Sequence, residues 1–188
     1  MHRAVRLSFA FTAAALWAAA PAVVAQTGAN KEQLKRGQYL VTLGGCNDCH
    51  SPKMMTPKGP QPDPAKILSG HPAGAPVPPV PGGMFGQGQW AALTNDNFTA
   101  WAGPWGISFA ANLTPDVDTG LGGWTATQFI QTIRTGKHLG AGRPILPPMP
   151  TDALAAMTDS DLKAIFAYLK SLKPIKNQVP APMPPKGP

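Results

Sequence analysis

The chain contains two cysteines, and they stand three residues apart in the string Cys46-Asn47-Asp48-Cys49-His50. On a helix, residues at i and i+3 share a face, so both sulfurs can meet the two vinyl groups on one edge of a porphyrin while the next residue turns beneath the iron. An imidazole nitrogen there is a proximal ligand. The Cys-x-x-Cys-His string therefore reads as covalent haem attachment, with Cys46 and Cys49 as thioethers and His50 on the metal. Three other chemistries use paired thiols. Structural zinc needs two further ligands, and beyond His50 the chain after its first 25 residues offers only His71 and His138. A thioredoxin-like redox pair belongs to a βαβ context, whereas this pair follows a helical pattern with no parallel sheet signalled. A disulfide between residues this close would staple little, because the loop it closes is tiny.

A six-coordinate electron-transfer haem also needs a ligand on its opposite face, and a soft thioether there favours ferrous iron. Met54 and Met55 follow His50 too soon to wrap round a porphyrin, Met157 sits at a helix entrance, and Met183 lies near the C-terminus. Met149 is the leading candidate. In Pro147-Pro148-Met149-Pro150 the prolines stiffen the backbone, so a loop can hold a thioether toward iron with little conformational entropy left to lose. The plainer reading makes Met149 a filler in a Pro-rich turn. Met84, in Gly82-Gly83-Met84-Phe85, is the reserve, with His71 and His138 behind it as ligands of a bis-histidine site.

Residues 1–25 read as a secretory leader. His2, Arg3 and Arg6 give a basic start, Leu7 to Ala20 is almost wholly apolar, and Val23-Val24-Ala25 supplies small residues before a cut. That apolar run is shorter than the roughly 20 residues a bilayer span needs and closes at Pro21, which argues against a retained anchor. Export fits the thiol reading, since haem is attached on the outer side of the membrane. The formal charge of +7 falls by two when Arg3 and Arg6 leave. The remainder is spread out, so nucleic-acid binding is excluded and a modest attraction to an acidic partner face is retained.

At 188 residues, with 43% hydrophobic content, the chain supports one domain with its own core. Its 23 prolines and 20 glycines commit much of it to loops. Asn30-Lys31-Glu32-Gln33 signals a capped helix carrying Leu34, Gly37, Leu40 and Val41 on one side and ending at Gly44-Gly45. Thr125-Ala126-Thr127-Gln128 opens a second, with Phe129, Ile130 and Ile133 apolar and Gly136 as its stop. A turn or two of helix is expected over Thr151 to Met157. The clearest helix follows Thr158-Asp159-Ser160-Asp161, with Leu162, Ile165, Phe166, Leu169 and Leu172 on one stripe until Pro174. Between Pro52 and Gly106 the spacing predicts loop, with no strand. The domain is expected over 26–176, followed by an extended or mobile Pro-rich tail over 177–188.

With these residues in view, the chain resembles a class I, single-haem cytochrome c from about Asn30 to Lys173. The match rests on a helix leading into Cys-x-x-Cys-His, a methionine loop, a closing amphipathic helix, and Gly37 with Val41 facing Tyr168 and Leu169. More narrowly, Ala111-Asn112-Leu113-Thr114-Pro115 and Gly120-Leu121-Gly122-Gly123-Trp124 are similar to cytochrome c subunits of membrane-associated alcohol, aldehyde and sugar-acid dehydrogenases. The resemblance implies a mainly α cytochrome c fold, with few helices round one covalent haem c and long Pro/Gly-rich loops. It also implies Met149 as distal ligand, an indole hydrogen bond from Trp124 to a haem propionate, and Arg143 offsetting propionate charge. Many of those subunits carry three haem repeats, and this chain has one.

The function that follows is electron transfer outside the cytoplasm, in the periplasm, through a non-catalytic carrier or cytochrome subunit. A dehydrogenase would be the donor and an oxidase or another cytochrome the acceptor, in a complex that can associate with the membrane. The alternative is a haem enzyme or gas-binding protein whose distal position is open or labile, so that peroxide, NO or CO reaches the iron.

Overall fold

The computed structural model describes residues 29–185; the expected leader lies outside them. Helix α1 (Lys31–Leu43) starts where Asn30 Oδ1 accepts the Gln33 amide at 2.7 Å, a side chain standing in for the missing preceding turn. It stops at Gly44, whose amide returns to the Leu40 carbonyl. Gly45 is left-handed at φ 63° and turns the chain at once into the short helix α2 (Cys46–His50).

Five strands follow, where loop was expected. Strands β1 (Lys53–Thr56) and β2 (Gly59–Pro62) form an antiparallel hairpin in which Lys53 faces Pro62 and Thr56 faces Gly59. A second sheet, ordered β3–β4–β5, joins Leu93–Thr94, Ala100–Gly103 and Gly106–Phe109. The prolines that argued against strands fit because β2 has one partner and an open edge, where a missing N–H costs nothing. Tight two-residue turns, Pro57-Lys58 and Pro104-Trp105, join the paired strands. In β4 the burial pattern is nearly continuous, so no polar alternation marked it in the sequence.

Helix α3 (Ala126–Thr135) is framed as expected: Thr125 and Gln128 exchange a full capping box, and Gly136 closes it at φ 62°. Helix α4 (Thr151–Ala155) is one turn, and α5 (Asp159–Lys170) begins at the Thr158 cap. It ends four residues before Pro174, where the Ser171 amide folds back onto the Ala167 and Tyr168 carbonyls. The fold is thus helical in its core but not purely helical. No helix among the described residues is long and apolar enough to cross a membrane.

The core gathers Leu40 and Val41 of α1, Phe129, Ile130 and Ile133 of α3, and Leu162, Ile165, Phe166 and Leu169 of α5, with Leu68 and Leu121 from loops. Helices α1 and α5 meet at Gly37, where an added Cβ would overlap the Ala164 carbonyl and come within 2.7 Å of Tyr168 Cβ. Outside this contact, Arg36 grips the Asp161 carboxylate with two bonds, of 2.9 and 3.2 Å. The crossing therefore sets how α2, carried on the end of α1, meets the rest of the chain.

The segment after α5 is extended and pinned. The Asn177 amide group donates to the Ser69 and His71 carbonyls at 2.7 and 2.8 Å and accepts from the Ala73 amide. Met183 exchanges backbone bonds with Ile107 on the edge of β5. Replacing Gly37 by alanine should force α1 and α5 apart and destabilise the protein by about 2–3 kcal/mol, read as a lower midpoint in denaturant unfolding.

Candidate functional site

His50 ends α2 with 8% of its surface exposed, and its Nδ1 lies 2.8 Å from the Ala111 carbonyl oxygen. A carbonyl only accepts, so Nδ1 must carry the proton and Nε2 the lone pair. Burial, outweighing the help of that bond, pushes the imidazole below its usual range and keeps it neutral. A neutral ring with an oriented, unprotonated nitrogen is the state a metal ligand needs.

The backbone around it is braced from several sides. The Gly70 amide donates to the His50 carbonyl at 2.7 Å. Buried Ser51 donates to Asn47 Oδ1 at 2.8 Å and accepts the Leu68 amide at the same distance. Lys53 Nζ lies 2.9 Å from both the Asn47 and Asp48 carbonyls, placing a cation where the helix leaves acceptors unpaired.

Both cysteines are free thiols and half-buried. Cys46 packs against the core. Burial raises the pKa of each, and the nearby Asp48 charge adds to the effect. A redox-active pair needs the opposite environment, one that favours the thiolate. Among the described residues no group of three or more His, Cys, Asp or Glu is placed to hold a metal ion, so the zinc reading lacks its remaining ligands. The Trp101 indole lies beside the Cys49 sulfur and also donates to the Phe98 carbonyl at 3.1 Å.

Met149 is half-buried in its loop. That loop touches β5, where Ser108 Oγ donates to the Pro147 carbonyl at 2.6 Å. Ser108 precedes Ala111 by three residues, roughly 10 Å of extended chain, so one segment is bonded to both the histidine and the methionine loop. Met84 sits in a separate turn closed by the Trp90 amide on the Met84 carbonyl at 3.1 Å. His71 is fully buried, with Nδ1 2.9 Å from Thr99 Oγ1, its ring 4.8 Å from that of Phe109, and no partner at Nε2.

Trp124, His138 and Arg143 share a corner. The half-buried Trp124 ring meets that of His138 edge-on at 5.1 Å, and the His138 amide donates to the Arg143 carbonyl at 2.9 Å. Burial and then the Arg143 charge push the His138 pKa down. Exposed Arg143 has no carboxylate partner among the described residues, and its guanidinium reaches only the Pro144 carbonyl.

Sequence reasoning missed Ser51, Lys53, Trp101, Ser108 and the Ala111 carbonyl. It also missed the structural role of Asn112. This buried side chain accepts from Thr114 N and Oγ1 and donates to Thr119 Oγ1 and the Ile175 carbonyl. The Asn-x-Thr spacing of an Asx turn was its only local signal.

This donor set fits a covalently held haem. Two protonated thiols lie one helical turn apart, one imidazole has Nε2 free of hydrogen bonds to the described residues, and a cationic corner lacks an acid.

No family model matches the chain. It is 29% identical over 147 residues to the gluconate 2-dehydrogenase cytochrome c subunit of Pantoea cypripedii, covering 78% of this chain and 25% of that one. It is 26% identical over 170 residues to the fructose dehydrogenase cytochrome subunit of Gluconobacter japonicus, covering 87% and 27%. It is 26% identical over 172 residues to the cytochrome c subunit of the quinone-dependent alcohol dehydrogenase of Gluconacetobacter polyoxogenes, covering 90% and 29%. The chain thus spans between a quarter and a third of the length of these relatives. The resemblance to cytochrome c subunits of dehydrogenases is borne out over most of the chain.

Asn112→Ala should cost about 1–3 kcal/mol, because it strands the buried Thr114 amide and leaves the Thr114 hydroxyl hydrogen and the Ile175 carbonyl only their own longer contact of 3.3 Å. Denaturant unfolding measures it, and an unchanged midpoint would contradict the role given to this side chain.

Proposed function

We propose that the chain carries one haem c, bonded through Cys46 and Cys49 and ligated by His50 and Met149, and moves single electrons in the periplasm. The observation that carries this reading is the His50–Ala111 bond, which fixes the tautomer and leaves Nε2 unprotonated, with no hydrogen bond to the described residues. Cytochrome subunits among the relatives support a dehydrogenase as electron donor. An oxidase or a further cytochrome is the acceptor.

When bound, the haem supplies a ferric/ferrous couple. The protein's part is to keep the surroundings of that couple unchanged between the two states. Cys46 and Cys49 would hold the haem through their sulfurs on a helix that the α1–α5 crossing fixes in place. His50 cannot rotate without breaking its bond to Ala111. Met149 would hold the haem iron from a loop whose prolines leave it few alternative shapes. With both side chains held in this way, the protein around the haem would need little rearrangement. Trp124 and Arg143 offer an indole N–H and a guanidinium to the propionates, and the Trp101 ring shields the sulfur side near Cys49. No substrate-converting step is assigned to the chain.

Residues 1–25 direct export and are cleaved, and the thiols then meet haem outside the cytoplasm. The segment 51–110 forms the two small sheets and walls one side of the site. Its inserted hairpin adds surface on which a dehydrogenase can dock, in a complex that can lie at the membrane.

The reading is tested on the exported, haem-loaded protein. It predicts a thioether-to-iron charge-transfer band in the ferric state and indifference to CO in the ferrous state. Met149→Ala should abolish the band, admit CO and lower the reduction potential. Ready CO binding by the unaltered protein would instead favour the open-site alternative, and an unaltered spectrum in Met149→Ala would move the ligand to Met84 or a histidine.

A further inference from the structure

The run Leu146-Pro147-Pro148-Met149-Pro150 has three prolines in five residues, so most of its backbone has no N–H to donate. Such a loop is held from outside chiefly through its carbonyls. Among the described residues, the bond that reaches this run from beyond the helix that follows it is the one from Ser108 Oγ to the Pro147 carbonyl, at 2.6 Å, while the Leu154 amide of α4 takes the Pro150 carbonyl at 3.1 Å. The Met149 carbonyl is taken locally by the Thr151 amide at 2.9 Å.

Ser108 is suited to act as an anchor. It is 8% exposed, so water competes weakly for its hydroxyl. It lies in mid-β5, directly opposite Trp101 of β4, and its second contact, to the Trp101 carbonyl, is long at 3.4 Å. Paired residues of an antiparallel sheet present their side chains on the same face. The face that carries Trp101 to the Cys49 sulfur therefore also carries Ser108 to the methionine loop. Three residues further on, just past the end of β5, the Ala111 carbonyl accepts from His50 Nδ1.

The geometry points to Ser108 as a positioning residue that sets how firmly Met149 would stay on the iron, with the β4–β5 hairpin and the chain just after it as a common frame for His50 and Met149. This rests on the reading of Met149 as distal ligand. Ser108 touches no part of the haem in this account. It acts by holding the Pro147 carbonyl, two residues before the thioether. Without the hydroxyl, the loop loses its outside tether and the methionine dissociates more often, so an external ligand competes better for ferric iron.

The test titrates imidazole into the ferric, haem-loaded protein and compares four variants with the parent. Ser108→Ala should bind imidazole about tenfold more tightly, the effect of losing one hydrogen bond of ordinary strength, while keeping a weakened charge-transfer band. Ser108→Thr keeps the hydroxyl and should stay within twofold of the parent. Thr94→Ala removes a hydroxyl from the same sheet, where Thr94 reaches the Ala100 carbonyl at 3.1 Å, and should also stay within twofold. Met149→Ala fixes the upper limit, with no band and the tightest imidazole binding.

An unchanged affinity in Ser108→Ala beside a strong effect in Met149→Ala would overturn the anchoring role alone. So would equal gains in Ser108→Ala and Thr94→Ala, which would mean a general loosening of the sheet, or an alanine-like Ser108→Thr. No effect in Met149→Ala would remove Met149 as ligand and the anchoring role with it.

Discussion

The hydrogen bond between His50 and the Ala111 carbonyl ties together chain segments 61 residues apart, and the rest of the site is arranged about it. It needs α2 to arrive at a defined height and rotation, which the close Gly37 crossing of α1 and α5 supplies. It needs Ala111 to be held still, which the β4–β5 hairpin achieves on one side and the Asn112 network on the other. An oriented imidazole, kept neutral by its burial, is the outcome. Without that bond, Cys46 and Cys49 would be two half-buried thiols beside a histidine free to change tautomer or turn away.

The segment between His50 and Ala111 is more than a covering. Its first hairpin follows directly from α2, where Lys53 gathers the carbonyls at the helix end. Its second sheet touches the Cys49 sulfur through Trp101 and the methionine loop through Ser108. The last described residues close the edge of this sheet by pairing Met183 with Ile107, and Asn177 fastens the tail to the Ser69–Ala73 turn. A long, proline-rich chain is thereby drawn into the frame that holds both His50 and the methionine loop.

What could be read from the sequence was whatever is decided locally. The caps at Asn30, Thr125 and Thr158 and the stops at Gly44 and Gly136 depend on residues three or four apart, and the helices fall where those signals put them. The Cys46-to-His50 string is contiguous, so its residues could be singled out at once, as could the close approach at Gly37. The strands were not, because each is two to four residues long, covered on both faces or edged with proline, and stable only through pairing. The Ala111 carbonyl was invisible for a different reason: every residue has one, and only the fold decides which meets an imidazole. Ser108 likewise carried no local mark, and the grouping of Trp124, His138 and Arg143 came from a turn whose path the sequence did not disclose.

The central claim is that these thiols and this histidine hold a single porphyrin covalently. Intact-mass and peptide-map analysis of the protein, exported by cells with working haem-attachment machinery, tests it most directly. The account predicts the mass of one haem added to the polypeptide and located on the peptide that contains Cys46 and Cys49. A polypeptide with the mass of its amino acids alone, and both thiols open to alkylation, would contradict it.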